Sequence, residues 1–90
     1  MSKEIVLFES EEIKELQSVC EFLHQLADKF ASKQVIFHKG SEKIELSVPE
    51  VVIMEIKIEE EEKHNKMKRS LEIEIEWNEG EHLGESVSLE

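Results

Sequence analysis

Leu71-Glu72-Ile73-Glu74-Ile75-Glu76-Trp77 alternates large apolar and acidic residues without a break and ends on the chain's only tryptophan. Successive side chains of a strand point to opposite faces. The heptad therefore sets Leu71, Ile73, Ile75 and Trp77 on one side and Glu72, Glu74 and Glu76 on the other. A regular period of two predicts a strand with one apolar face, and every other segment has to be read against that constraint.

The chain's 90 residues suit one domain with a single helix-on-sheet core. Its 22 acidic and 11 basic side chains leave a formal charge of -11. The excess is uneven: residues 1–45 hold 9 acids and 6 bases, and residues 46–90 hold 13 and 5. A field of that sign repels phosphate, and no Lys/Arg stripe is present to release counterions, so neither nucleic acid nor an anionic membrane is the expected partner. The lone cysteine forms no internal disulfide. The N-terminus has no basic segment followed by an apolar run, and the longest apolar stretch, Val51 to Met54, is far too short to span a bilayer, so the expected location is cytoplasmic. Acid-rich chains are often disordered, but here the charges alternate with apolar residues at clean structural periods, which predicts a packed fold.

Ile5 to Phe8 reads as a short strand or extended lead-in. Ser10 offers an N-cap hydroxyl, and Glu11 and Glu12 place negative charge beside the positive end of a helix that is expected to start there and run to about Ala31. Ile13, Leu16, Cys20, Leu23, Ala27 and Phe30 recur at steps of three and four, and Val19, Phe22 and Leu26 broaden the stripe to a width that covers a sheet. Four period-two segments follow. Lys39-Gly40-Ser41-Glu42 predicts a two-residue hairpin turn with Gly40 at positive φ, which sets Phe37 across from Ile44 and Val35 across from Leu46. After Pro49, a loop that includes Val51 places Ile44 opposite Ile56. The polar stretch Glu60 to Lys68 reads as a long turn back into the final strand; if Ile58 faces Leu71, then Ile56 meets Ile73, Met54 meets Ile75 and Val52 meets Trp77. Trp77 is then a core residue that closes the apolar face.

The expected fold is α+β: one long amphipathic helix packed on one face of a four- to five-stranded, largely antiparallel sheet in the order β-α-β-β-β-β. Residues 1–78 form the single domain, and residues 79–90 form a flexible acidic tail. Leu7-Phe8-Glu9-Ser10 leading into an amphipathic helix, the glycine turn, the Val48-Pro49 strand end and the closing Leu71 to Trp77 heptad together resemble the amphi-Trp domain family over about residues 4–78. That resemblance implies a small prokaryotic protein, often archaeal, in a cytoplasmic setting, and it implies no particular reaction. The mixed-charge segment Glu60 to Lys68 departs from the family pattern.

No catalytic set emerges. His24, His38, His64 and His82 fall on a helix margin, an outward strand position, a loop and the tail. Asp28 lies on the polar helix face, and the three glycines, Gly40, Gly80 and Gly84, form no phosphate loop. Cys20 and His24 stand four apart on the helix, a spacing two metal ligands could share, but no further ligands follow at diagnostic spacing. Glu59 to Glu62 lack the Asp/Asn/Gly pattern of a tight oxygen cage. The expectation is therefore no enzyme, no cofactor and no metal site. In its place stands an acidic interaction module whose surface is Glu55, Lys57, Glu72, Glu74 and Glu76 on the outer sheet face, with an exposed strand edge beside it. Ile36 and Ile53 are apolar islands on that face. A homodimer joined through sheet edges, otherwise a monomer, and weak divalent-cation binding are the alternatives.

Overall fold

The computed structural model describes residues 3–79 and Leu89. Its elements run in the order α1 (Leu16–Ala31), β1 (Gln34–Lys39), β2 (Glu42–Ser47), β3 (Ile53–Lys63) and β4 (Lys66–Glu76). The architecture is α+β, and all described strand pairing is antiparallel. The strands form two two-stranded sheets, β1-β2 and β3-β4, where the alternation predicts one continuous meander. The β1-β2 ladder ends at Ser47, before Pro49, and Val51 and Val52 in the connection to β3 are exposed. The chain divides into two compact units, Met1–Glu50 and Val51–Glu90. Of the expected acidic tail, only Glu79 and Leu89 lie within the described residues.

In the first unit the helix begins at Leu16, six residues after the expected cap at Ser10. Glu15 stands at its N-cap in extended backbone, with no side-chain capping bond. The cause is local. Ile13, the apolar anchor of the missing turn, is fully exposed, and Glu11 and Glu15 would stand four apart as like charges, so nothing offsets the cost of ordering that turn. The segment Ile5 to Phe8, expected as a short strand or an extended lead-in, joins no ladder among the described residues and is the lead-in. It is held instead by the Phe8 ring, 5.9 Å from that of Phe37, and by the Lys39 ammonium, which donates to the Glu9 carbonyl at 3.3 Å.

α1 packs on β1, with Val19, Leu26 and Phe30 half-buried on the helix. At its end Ser32 donates its N–H to the Asp28 and Lys29 carbonyls and its hydroxyl to the Lys29 carbonyl at 2.7 Å. The chain reverses at Lys33, whose φ of +66° lies in the left-handed region that side chains with a Cβ enter at a cost of roughly 1–2 kcal/mol. Three contacts hold it there: its N–H bonds the Phe30 carbonyl at 2.9 Å, its own carbonyl accepts from Val48 N–H at 2.9 Å, and its ammonium pairs with Glu50. The following hairpin has the predicted register, with Lys39 opposite Glu42, Phe37 opposite Ile44 and Val35 opposite Leu46. Gly40 supplies the positive φ, at +59°. Val35 and Val48 are the buried hydrophobic residues here, and Phe37, Ile44 and Leu46 flank them half-buried.

The second unit is a long hairpin of two 11-residue strands. Ile58 faces Leu71, Ile56 faces Ile73 and Met54 faces Ile75, as parity requires. The stretch Glu60 to Lys68, expected as a long turn, is instead a continuation of both strands. The chain reverses within His64-Asn65 alone, at φ of +52° and +61°, the two positive values of a type I′ turn. Charge complementarity supports the middle of this extension, where Glu61 faces Lys68 and Glu60 binds Arg69 at 2.6 Å, while the last rung before the turn sets Lys63 against Lys66. The apolar row is not the buried stave that its alternation suggests. Leu71 is 63% and Ile73 54% exposed, while Ile75 and Trp77 are half-buried. A ladder two strands wide gives each side chain one cross-strand neighbour, which screens only part of its surface. Trp77 lies just past the end of the ladder, and its indole N–H donates to the Glu79 carboxylate at 3.1 Å.

Candidate interaction surface

Alternation in β3 and β4 sorts the hairpin into two faces. Ile53, Glu55, Lys57, Glu59, Glu61 and Lys63 of β3 stand opposite Glu76, Glu74, Glu72, Ser70, Lys68 and Lys66 of β4. All five residues of the expected surface, Glu55, Lys57, Glu72, Glu74 and Glu76, thus share one face, and all are exposed. Ile53 lies on it as expected. Ile36 belongs to the other hairpin and lies on the opposite side of β1 from buried Val35.

The face is polarised along its length. At the end nearest Trp77, Glu55 stands directly opposite Glu74, with Glu72 and Glu76 on either side along β4, and Lys57 is the one cation among them. Like charges set opposite each other in a sheet repel, so this end carries a local electrostatic cost. Lys57 pairs along its own strand with Glu59 at 3.1 Å and faces Glu72 across the ladder. The bond to Glu59, then that carboxylate's charge and then Glu72's hold its ammonium above the usual lysine value. Toward the turn the sign changes, with Lys63, Lys66 and Lys68 on the same face. Between the two ends lies a shallow open depression lined by Glu59, Glu61, Lys68, Ser70 and Glu72. The basic tip escapes a reading by composition because Glu60 to Lys68 is polar apart from Met67. Its signal is the mirrored charge, Glu60 and Glu61 against Arg69 and Lys68, at equal distances from His64-Asn65.

Other candidate residues stay apart. Cys20 and His24 are both exposed on α1. Glu59 to Glu62 lie in a strand and therefore alternate between faces, and Arg69 takes up Glu60. Among the described residues no group of three or more His, Cys, Asp or Glu side chains is gathered closely enough to hold a metal ion. His38 is exposed on β1 and His64 sits in the hairpin turn, while His82 lies outside the described residues. No described helix is long and apolar enough to cross a membrane.

Fold and surface together define a small acidic α+β protein carrying a long, charge-polarised β-hairpin. The chain belongs to the Amphi-Trp domain family, whose model matches residues 1–90. Comparison with curated proteins and with solved structures gives no match.

Proposed function

We propose that this protein is a non-enzymatic, cytoplasmic interaction or adaptor module that engages another protein through the glutamate-rich face of β3-β4 and the adjoining strand edge. The observation that carries this reading is Glu55 opposite Glu74, flanked by Glu72 and Glu76. Four carboxylates on one end of one face cost the hairpin stability, and a basic partner segment would relieve that repulsion. β4 adds a second means of recognition. Among the described residues it is laddered on one side only, and an edge of unpaired N–H and C=O groups accepts an added strand. The finer architecture belongs to the same reading: one domain over residues 1–78, in which a helix covers one face of a single four- to five-stranded sheet. β4 is the last strand of the meander in that arrangement too, and an edge of the sheet in its four-stranded form.

The test is affinity capture from a native extract with the wild-type chain and with the triple variant Glu72→Lys, Glu74→Lys, Glu76→Lys. The reading expects proteins retained by the wild type and lost from the variant, with retention falling as salt rises, because exposed charge pairs are screened beyond about 10 Å at 0.1 M. If every retained protein binds both chains equally, the glutamates serve solubility alone.

A further inference from the structure

β4 reads Lys66-Met67-Lys68-Arg69-Ser70-Leu71-Glu72-Ile73-Glu74-Ile75-Glu76. Its first half is basic, its second half is acidic, and Leu71 stands at the midpoint. Such a strand is complementary to itself when reversed. Resting on the interaction reading above, we infer that the partner of the β4 edge is a second copy of this chain, joined by antiparallel β4-β4 pairing about a two-fold axis at Leu71.

Pairing about that axis sets Lys66 opposite Glu76 of the second copy, Lys68 opposite its Glu74, and Ser70 opposite its Glu72. Symmetry repeats each pair. On the other face Met67 meets Ile75, the Arg69 stem covers Ile73, and Leu71 meets its own copy, so both faces match in chemistry. Neighbouring registers do worse. Displacing the pairing by a single residue sets the charged face of one copy against the apolar face of the other. Centring on Glu72 brings that carboxylate against itself, and centring on Ser70 leaves Glu76 facing His64 of the turn. The β3 edge offers no equivalent, since reversing it about Ile58 sets Glu55 against Glu61 and Met54 against Glu62.

The hairpin's own register supplies an independent argument. Within one chain Lys66 faces Lys63 and Glu74 faces Glu55, both like-charge pairs. Among the described residues Lys66, Lys68, Glu72, Glu74 and Glu76 form no ion pair. The second copy gives Lys66 and Glu74 the opposite charges that their own hairpin withholds. It also pairs the backbone groups of an 11-residue edge, a length that soluble proteins seldom leave flat and unpaired. The geometry is isologous and closes at two copies.

The experiment uses the full chain in about 0.1 M salt, where repulsion between two chains of charge -11 is confined to about 10 Å. Sedimentation equilibrium should give twice the 10.5 kDa chain mass for the wild type at high concentration. Two variants then dissect the edge: Lys66→Glu with Lys68→Glu, and Glu74→Lys with Glu76→Lys. Each alone places like charges across the axis and should raise the dimer Kd by about tenfold or more. Mixed in equal amounts they are complementary at all four positions, and a heterodimer should reappear. Should either variant lose its fold, Cys20→Ser with Leu71→Cys tests the axis without changing charge. The two Cα atoms would stand about 4.5–5.5 Å apart, within disulfide reach, and mild oxidation should link two chains. A wild type that stays monomeric, or charge variants that dimerise as well alone as mixed, overturns the inference. If the chain is monomeric while a heterologous protein is still captured in a manner that depends on Glu72, Glu74 and Glu76, the second-copy inference fails and the broader interaction reading stands.

Discussion

Val35 and Ile36 are adjacent on β1 and point to opposite faces, so the same substitution at the two positions measures what the helix-covered face contributes. Val35 is 3% exposed beneath α1, whereas Ile36 is 45% exposed. Threonine keeps the β-branch and strand preference at both sites, which removes propensity from the comparison. At Val35 it exchanges a buried methyl for a hydroxyl with almost no access to water, a change that costs roughly 1–3 kcal/mol. At Ile36 the hydroxyl is hydrated and a partly exposed methylene is lost, for a cost of about 0.5 kcal/mol. In a domain of this size each kcal/mol moves the melting midpoint by roughly 4–8 °C, so the difference of about 0.5–2.5 kcal/mol should make Val35→Thr melt roughly 2–20 °C below Ile36→Thr, with about 9 °C at the middle of those ranges. Far-UV circular dichroism is the suitable probe, because it reports α1, which belongs to the same unit as Val35, while Trp77 belongs to the other. Equal losses at the two positions would refute the burial parity on which the first unit is built.

Asn65 holds a φ of +61° in the β3-β4 turn, so Asn65→Ala should lower the melting temperature by an amount corresponding to about 1 kcal/mol, while Asn65→Gly should leave it unchanged or raise it. The hydrogen bond from Lys33 and then its charge hold the Glu50 carboxyl below the usual carboxylate range. The stability this pair contributes is accordingly present above the unfolded-state pKa and lost as pH falls through the folded one. Lys33→Met should return Glu50 to its ordinary titration, followed by carboxyl chemical shift, and should flatten that part of the acid-stability profile. The Lys57 ammonium, raised by Glu59, contributes in the opposite sense: its share is complete below the unfolded lysine pKa and lost as pH rises through the folded value. Glu59→Gln should move the Lys57 ammonium resonance titration downward. Trp77 is half-buried, so its emission maximum should fall between those of buried and fully hydrated indole, and an unfolded-like maximum in the native protein would contradict its placement.

The residue order by itself determined the local pairings. Period-two alternation selects which residues share a face, and a glycine at a two-residue turn selects the register. Phe37 opposite Ile44 follows from those two facts, whereas Ile56 opposite Ile73 satisfies the parity but takes its register from the His64-Asn65 turn, which has no glycine. The common face of Glu55, Lys57, Glu72, Glu74 and Glu76 follows from the same parity. His64-Asn65 was legible in principle, because the charges around it mirror one another, but a polar ladder hydrated on both faces has the composition of a loop. Other features were decided only by tertiary structure. The helix starts at Leu16 because Ile13 is covered by none of the described residues, and Lys33 adopts a left-handed backbone because Phe30, Val48 and Glu50 converge to hold it. Burial differs in kind from parity. Alternation assigns Leu71 and Ile73 to an apolar side, but how much of each leaves water depends on what lies against that side, and a two-stranded ladder screens only part of it. The heptad Leu71 to Trp77 carries its pairing within itself, whereas its exposure is a property of the layers around it.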